Sequence, residues 1–225
     1  MIVRKAKQTV YALVVFTLFL LIFPASSMSG ETAPPEVTRA AIDGLGSFLN
    51  AIPTSDLRHY GFPNEEELTQ STLGSPFKVY TITPDKILNY KPEVEISSLI
   101  SPTDLWFFPV LSRGEVRTIL TIDKMNGEWK AVAIGSAGLA RQLKEVEDKW
   151  PESRGYEHKF VRVYQAKSDF VMVSKEGTIK VTLLESARIA LKLDQEEKGV
   201  YKLYSPSTVL PQMIPIVRQN VQSRE

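Results

Sequence analysis

The chain has 225 residues, with 27 Lys and Arg against 26 Asp and Glu, two histidines and no cysteine. The absence of cysteine excludes disulfides, thiol nucleophiles, cysteine-bound zinc and iron–sulfur clusters, so apolar packing alone must hold the fold. The balanced charge argues against nucleic acid or an anionic membrane surface as a partner chosen by bulk charge.

Arg4, Lys5 and Lys7 precede an unbroken apolar run from Val10 to Phe23, which ends at Pro24 and the small residues Ala25, Ser26 and Ser27. A positive flank, an apolar stretch and a small-residue site in that order predict a secretory signal peptide over residues 1–29. The alternative is an uncleaved signal anchor, although the run falls short of the roughly 20 apolar residues that span a bilayer core. Either reading places the remainder outside the cytoplasm, in the periplasm, the cell envelope or the exterior. Removing the three leader cations leaves 24 basic against 26 acidic residues, so the mature chain is near neutral.

Residues 30–35, with Pro34-Pro35, read as an extended linker. From Glu36 a helical period sets in, with Val37, Ala40, Ala41, Leu45, Phe48 and Leu49 on one side. Gly44 and Gly46 weaken this helix unless close packing requires them. Asn64-Glu-Glu-Glu67 predicts a capped short helix to about Ser71, and Phe77–Thr83 alternates as a strand.

Three antiparallel strands are predicted next: Leu105–Leu111, Val116–Asp123 and Glu128–Ile134. Strict alternation puts Val116, Thr118, Leu120 and Ile122 on one face. Asn126-Gly127 is a strong hairpin signal, because a type I′ turn needs positive φ at both central positions. Leu139, Leu143, Val146 and Trp150 form the apolar stripe of a helix from about Ala137, stopped by Pro151. Strands follow over 159–165, 170–174 and 178–184, with Lys175-Glu-Gly177 as a turn. Ser186–Leu193 fits a helix or a strand, and Val200–Tyr204 reads as a strand. Pro206, Pro211 and Pro215 predict an irregular tail over 205–225.

The expected fold is therefore α+β: an antiparallel sheet of two groups of about three strands, with helices on one face. One domain is expected over residues 36–204, with an N-terminal helix and a proline-containing C-terminal tail.

Gly135-Ser-Ala-Gly138 stands between a strand and a helix, where a serine nucleophile would sit, but Ile134 occupies the position of the first glycine of that motif. Ser136 is read mainly as a helix N-cap. His59, beside Asp56, Arg58 and Tyr60, is the other weak catalytic candidate, suited to acid–base work at neutral pH. His158 carries less, and Glu65, Glu66 and Glu67 point in different directions as consecutive helical residues must. No cofactor or metal is expected.

Trp106-Phe107-Phe108-Pro109 gives a strand that is apolar on both faces, which must be covered on both or offered to a partner. Pro109 suggests an edge or a bulge. Trp106 and Phe108, with Leu210, Met213 and Ile214 of the tail, are the candidate partner surface. The Asp123–Trp129 hairpin after a Phe-Pro-Val strand resembles hairpins of small exported sheet domains such as protease propeptides and PepSY-type modules. That likeness covers a few tens of residues and implies only a hairpin. The expected function is an exported, non-enzymatic module that binds a protein or peptide. A hydrolase using Ser136 or His59, and an envelope protein tethered by residues 1–29, are the alternatives.

Overall fold

A computed structural model describes residues 31–193 and 200–223. The leader reading of residues 1–29 lies outside the described residues.

One eight-stranded sheet organises the chain. Its strands are β1 (Thr72–Leu73), β2 (Phe77–Thr81), β3 (Ser101–Ser112), β4 (Glu115–Met125), β5 (Glu128–Gly135), β6 (Glu157–Val163), β7 (Ser168–Lys175) and β8 (Thr178–Leu183). The helices are α1 (Pro35–Asn50), α2 (Glu66–Thr69), α3 (Pro84–Leu88), α4 (Ile96–Leu99), α5 (Ala137–Lys149), α6 (Glu185–Leu191) and α7 (Pro206–Gln222). Strand order is β5-β4-β3-β2-β6-β7-β8, with β1 pairing onto β3 beyond the end of β2. The two expected strand groups are both present, and β2 joins them. It pairs antiparallel with β3 and parallel with β6, Val79 opposite Phe160. The sheet is thus mixed rather than wholly antiparallel. Asn126 and Gly127 take φ of 53° and 86°, the positive pair that the hairpin signal requires.

Helices cover both faces, which corrects the expectation of one. Trp106, Phe108, Val110, Leu120 and Ile122 pack beneath Val37, Ala41 and Leu49 of α1. On the same face of the other half, Val161, Val163, Phe170, Met172, Val181 and Leu183 lie under α3, α4, α6 and α7. The opposite face carries Phe77, Val79, Phe107, Phe160, Val171 and Val173, covered by Ala140, Leu143, Val146 and Trp150 of α5. Strands apolar on both faces, such as β3 and β7, leave no other stable arrangement.

The C-terminal segment corrects a second expectation. It forms the continuous helix α7, with Pro211 and Pro215 inside it. Pro206 occupies the first turn, where no amide donor is needed. The two interior prolines cost about 6 kcal/mol together. Val209, Leu210, Met213 and Val217 are fully buried, and at about 1.5–3 kcal/mol each they offset that cost. The Val200–Tyr204 strand reduces to a single antiparallel bridge, Val181 to Tyr204. Ser186–Leu193 resolves as helix α6.

Pro109 lies on an interior strand, not an edge. Its carbonyl accepts the Gly74 amide at 2.7 Å, so its ring nitrogen faces the same break between β1 and β2, where the ladder needs no donor. The bulge expected near it follows directly, in β4 opposite Val110 and Leu111.

Gly44 and Gly46 separate cleanly. A Cβ at Gly44 would fall 2.3 Å from the Ala131 Cβ, so glycine lets α1 lie directly on β5, whereas one at Gly46 meets nothing within 4 Å. Gly46→Ala should raise stability by up to about 1 kcal/mol, and Gly44→Ala should lower it. Thermal unfolding of the pair checks this; the same sign in both would contradict the close contact.

Candidate functional site

Trp106 and Phe108 are each 2% exposed, sealed beneath α1. Leu210 and Met213 are fully buried and Ile214 is half-buried, all in the cluster under α7. These five residues therefore build two different cores and display no common surface. The cover for Trp106 and Phe108 is α1, while α7 covers the other half of the sheet.

The Gly135–Gly138 junction is also simpler than a nucleophile site. Ser136 is exposed at φ 60°, and its carbonyl, not its hydroxyl, receives the first helical bond, from Ala140 at 2.9 Å. Its place at the helix start matches the N-cap reading, but the side chain does not cap. The His59 turn does come near this junction. Gly61, at φ 89°, packs so closely that a Cβ would lie 2.2 Å from the Arg117 carbonyl and 3.1 Å from Ala137. His59 itself is exposed and stacks edge-on to Tyr60 at 5.7 Å. Among the described residues no hydrogen bond joins His59 to Ser136. No group of three His, Asp or Glu side chains among them is placed to hold a metal.

The glutamates diverge as expected. Glu65 accepts from the Thr54 hydroxyl at 2.8 Å, Glu66 pairs with Arg113 at 2.7 Å, and buried Glu67 pairs with Arg117 at 2.8 Å. Asn64 caps the Glu67 amide at 3.2 Å. Each carboxylate is committed to structure.

A different region has the shape of a binding site. Between α5 and the ends of β3 and β4 lies an apolar cavity of about 270 Å³. Phe77, Pro109, Leu111, Val116 and Ile119 form its sheet side, Gly74 and Ser75 one wall, and Ala140, Leu143, Lys144 and Glu147 its helical side. A bulge in β4, opposite Val110 and Leu111, shapes it. Val110 pairs with Thr118, but Leu111 then pairs with Val116, so one residue of β4 is skipped. That skip brings Val116 to the face of Leu111 and against the α5 cluster, away from the face shared by Leu120 and Ile122. Strict alternation predicted the reverse.

Glu147 is the unusual group in this cavity. It is 7% exposed, and its Oε1 has no hydrogen-bond partner among the described residues. Burial lifts its carboxyl from the ordinary 4.5 to about 7; Lys144 opposes the rise, and Asp148 and Glu152 add to it. Lys144, at the rim, is bonded to Asp148 one turn on. A satellite group lies on the same face of the sheet. His158 is 3% exposed, and neither ring nitrogen has a hydrogen-bond partner of good geometry among the described residues. Burial lowers its pKa more than Glu152 and the Trp150 backbone raise it, which favours the neutral ring.

Glu147 escaped the sequence reading although its position was a signal. It follows Leu143 by four residues and precedes Trp150 by three, so it falls inside the apolar stripe of α5. A carboxylate on a core-facing stripe is a functional candidate by placement alone.

Comparison with protein-family models, with curated proteins and with solved structures finds no match.

Proposed function

We propose that the protein is an exported, non-enzymatic binding module whose ligand is a small apolar molecule seated between α5 and the β3–β4 strands. The observation that carries this reading is an open apolar cavity between α5 and the sheet, with the largely buried side chain of Glu147 in its wall. A concave, mostly apolar space with a few polar groups in its wall is the ordinary form of a small-ligand site. At about 270 Å³ the space exceeds the roughly 150 Å³ apolar cavity that accommodates benzene, and suits one ring or short chain. Export rests on the order of residues 1–29, a basic flank, an apolar run and small residues.

The earlier expectation of a peptide partner loses its residues, because Trp106, Phe108, Leu210 and Met213 are core. The large exposed apolar side chains, among them Ile42, Met125, Val132 and Ile189, stand on different elements. Such single residues are normal on a protein surface. The tethered alternative is decided by the mass of the protein recovered from its host, which drops by the leader if residues 1–29 are removed.

Val116 is half-buried at the cavity wall, so Val116→Phe should fill the space from within. Titration with small aromatic compounds, followed by NMR shifts, should give at least about tenfold weaker binding in the variant. Equal binding by the two proteins would move the site elsewhere.

A further inference from the structure

We infer that the outer edge of β5 is a self-recognition surface, on which a second copy of this chain adds its own β5 antiparallel, across a two-fold axis at Trp129. This is independent of what the cavity holds. The sheet ends differently on its two sides. At β8 the chain closes its own edge, because Val181 and Tyr204 exchange backbone hydrogen bonds of 3.0 and 2.8 Å. β5 ends the order on the other side, and no strand among the described residues pairs with its outer side. Asn126-Gly127 closes a two-residue turn between Met125 and Glu128, so Glu128 and Lys130 turn their backbone groups toward β4. Trp129 and Ala131 therefore turn their N–H and C=O groups outward, where an added strand takes them. Above this edge there is room: a groove of about 430 Å³ lies between Glu36, Arg39 and Asp43 of α1 and Lys124, Glu128 and Trp129 of the hairpin.

Charge decides the occupant. Trp129 and Ala131 pack in the cluster under α1, so alternation puts Glu128 and Lys130 on the opposite face. Their side chains are 72% and 55% exposed and pair with each other at 2.8 Å. With Trp129 opposite Trp129 of the second copy, each Glu128 stands opposite a Lys130 and each Ala131 opposite a Gly127. The outward backbone groups then bond across the axis, and two opposite-charge pairs form on the solvent face. A lone lysine on an edge strand repels added strands; a glutamate two residues before it makes this edge the complement of itself. An unrelated peptide can use the same backbone groups, but it lacks the matched charges. Val132 is the extra residue of a bulge, since Ala131 pairs with Ile122 and Ala133 with Thr121. The bulge turns the strand away and ends the pairing at Ala131. Each copy spends its edge in the contact, so assembly closes at two. The contact is small, which sets a Kd on the order of tens of micromolar.

Sedimentation equilibrium of the protein recovered from its host, from micromolar to near-millimolar concentration, should show monomer passing to dimer and no larger species. Lys130→Glu makes both facing groups acids and Glu128→Lys makes both bases, so each variant alone should dimerise at least about tenfold more weakly. An equimolar mixture of the two variants should recover wild-type association, because every facing pair is then opposite in sign. Loss of the ion pair within one chain cannot produce that recovery. In the wild type, the Trp129 and Ala131 amides should exchange with solvent more slowly as concentration rises, which tests the edge without any substitution. A monomer at every concentration overturns the inference, as does a dimer that both variants form as well as the wild type. Growth past the dimer overturns the closed two-fold pairing. Exchange slowed on adding an extended Thr-Val repeat peptide, and not by concentration, overturns the second copy as the occupant.

Discussion

Phe108→Ala is expected to lower folding stability by about 3–5 kcal/mol. Phe108 is 2% exposed and packs in one cluster with Val37, Ala41, Trp106, Leu120 and Ile122. Truncation removes the ring's transfer free energy and leaves a hole that α1 closes only in part. A domain of this kind has about 5–15 kcal/mol in total, so the variant stands near the threshold of folding. Trp106→Ala belongs to the same range, since its ring is equally buried and Lys78 lies 4.6 Å above its centroid. Denaturant melts of wild type and variant, compared at equal m-value, measure the loss. A change below about 1 kcal/mol would show that α1 does not seal this face in solution.

Glu147→Gln should stabilise the protein, by an amount that grows from about pH 4.5 and levels off above about pH 7. The folded carboxyl titrates at about 7 and the unfolded one near 4.5. A raised folded pKa contributes stability that is fully present below about pH 4.5 and lost as pH climbs through about 7. The gap corresponds to about 3 kcal/mol, and solvent reaching the open cavity reduces it to about 2 kcal/mol. Glutamine imitates the neutral acid at every pH. The two proteins should therefore melt alike near pH 4, and the variant should be about 2 kcal/mol more stable at pH 8. His158 works in the opposite direction. Its lowered folded pKa leaves the unfolded state binding more protons, so its contribution is lost as pH falls below the ordinary histidine range. The acid-side slope should survive in Glu147→Gln. An equal offset between the proteins at pH 4 and pH 8 would refute the buried-carboxyl assignment.

Neither result depends on which ligand the cavity holds, and together they separate its two apolar environments. Phe108 reports on the face beneath α1, where packing is complete. Glu147 reports on the face beneath α5, where packing stops short and leaves a space. Val116 lies at that space because of the bulge in β4, which falls opposite the β3 residues just after a proline whose nitrogen needs no partner.

Much of this was legible from local chemistry. The α1 period, the Asn126-Gly127 turn, the strand alternation of β4 and β5, and the Pro151 stop after α5 act within a few residues, where sequence and conformation are directly coupled. What sequence could not decide depended on partners distant along the chain. α7 forms through its prolines because a core built by β6 to β8 rewards its buried face. Trp106 and Phe108 are core because α1, some sixty residues earlier, lies over them, with Gly44 allowing the contact. β2 joins the strand groups through a parallel pairing whose partner is about eighty residues away. Val116 changed faces through one skipped residue, and Glu147, on a helix whose stripe was read correctly, borders a cavity only because the sheet beneath it left room. Periodicity and turn chemistry are local and fix the elements; burial is a property of the assembled surfaces, and it alone determined which apolar residues are core and which carboxyl borders a cavity.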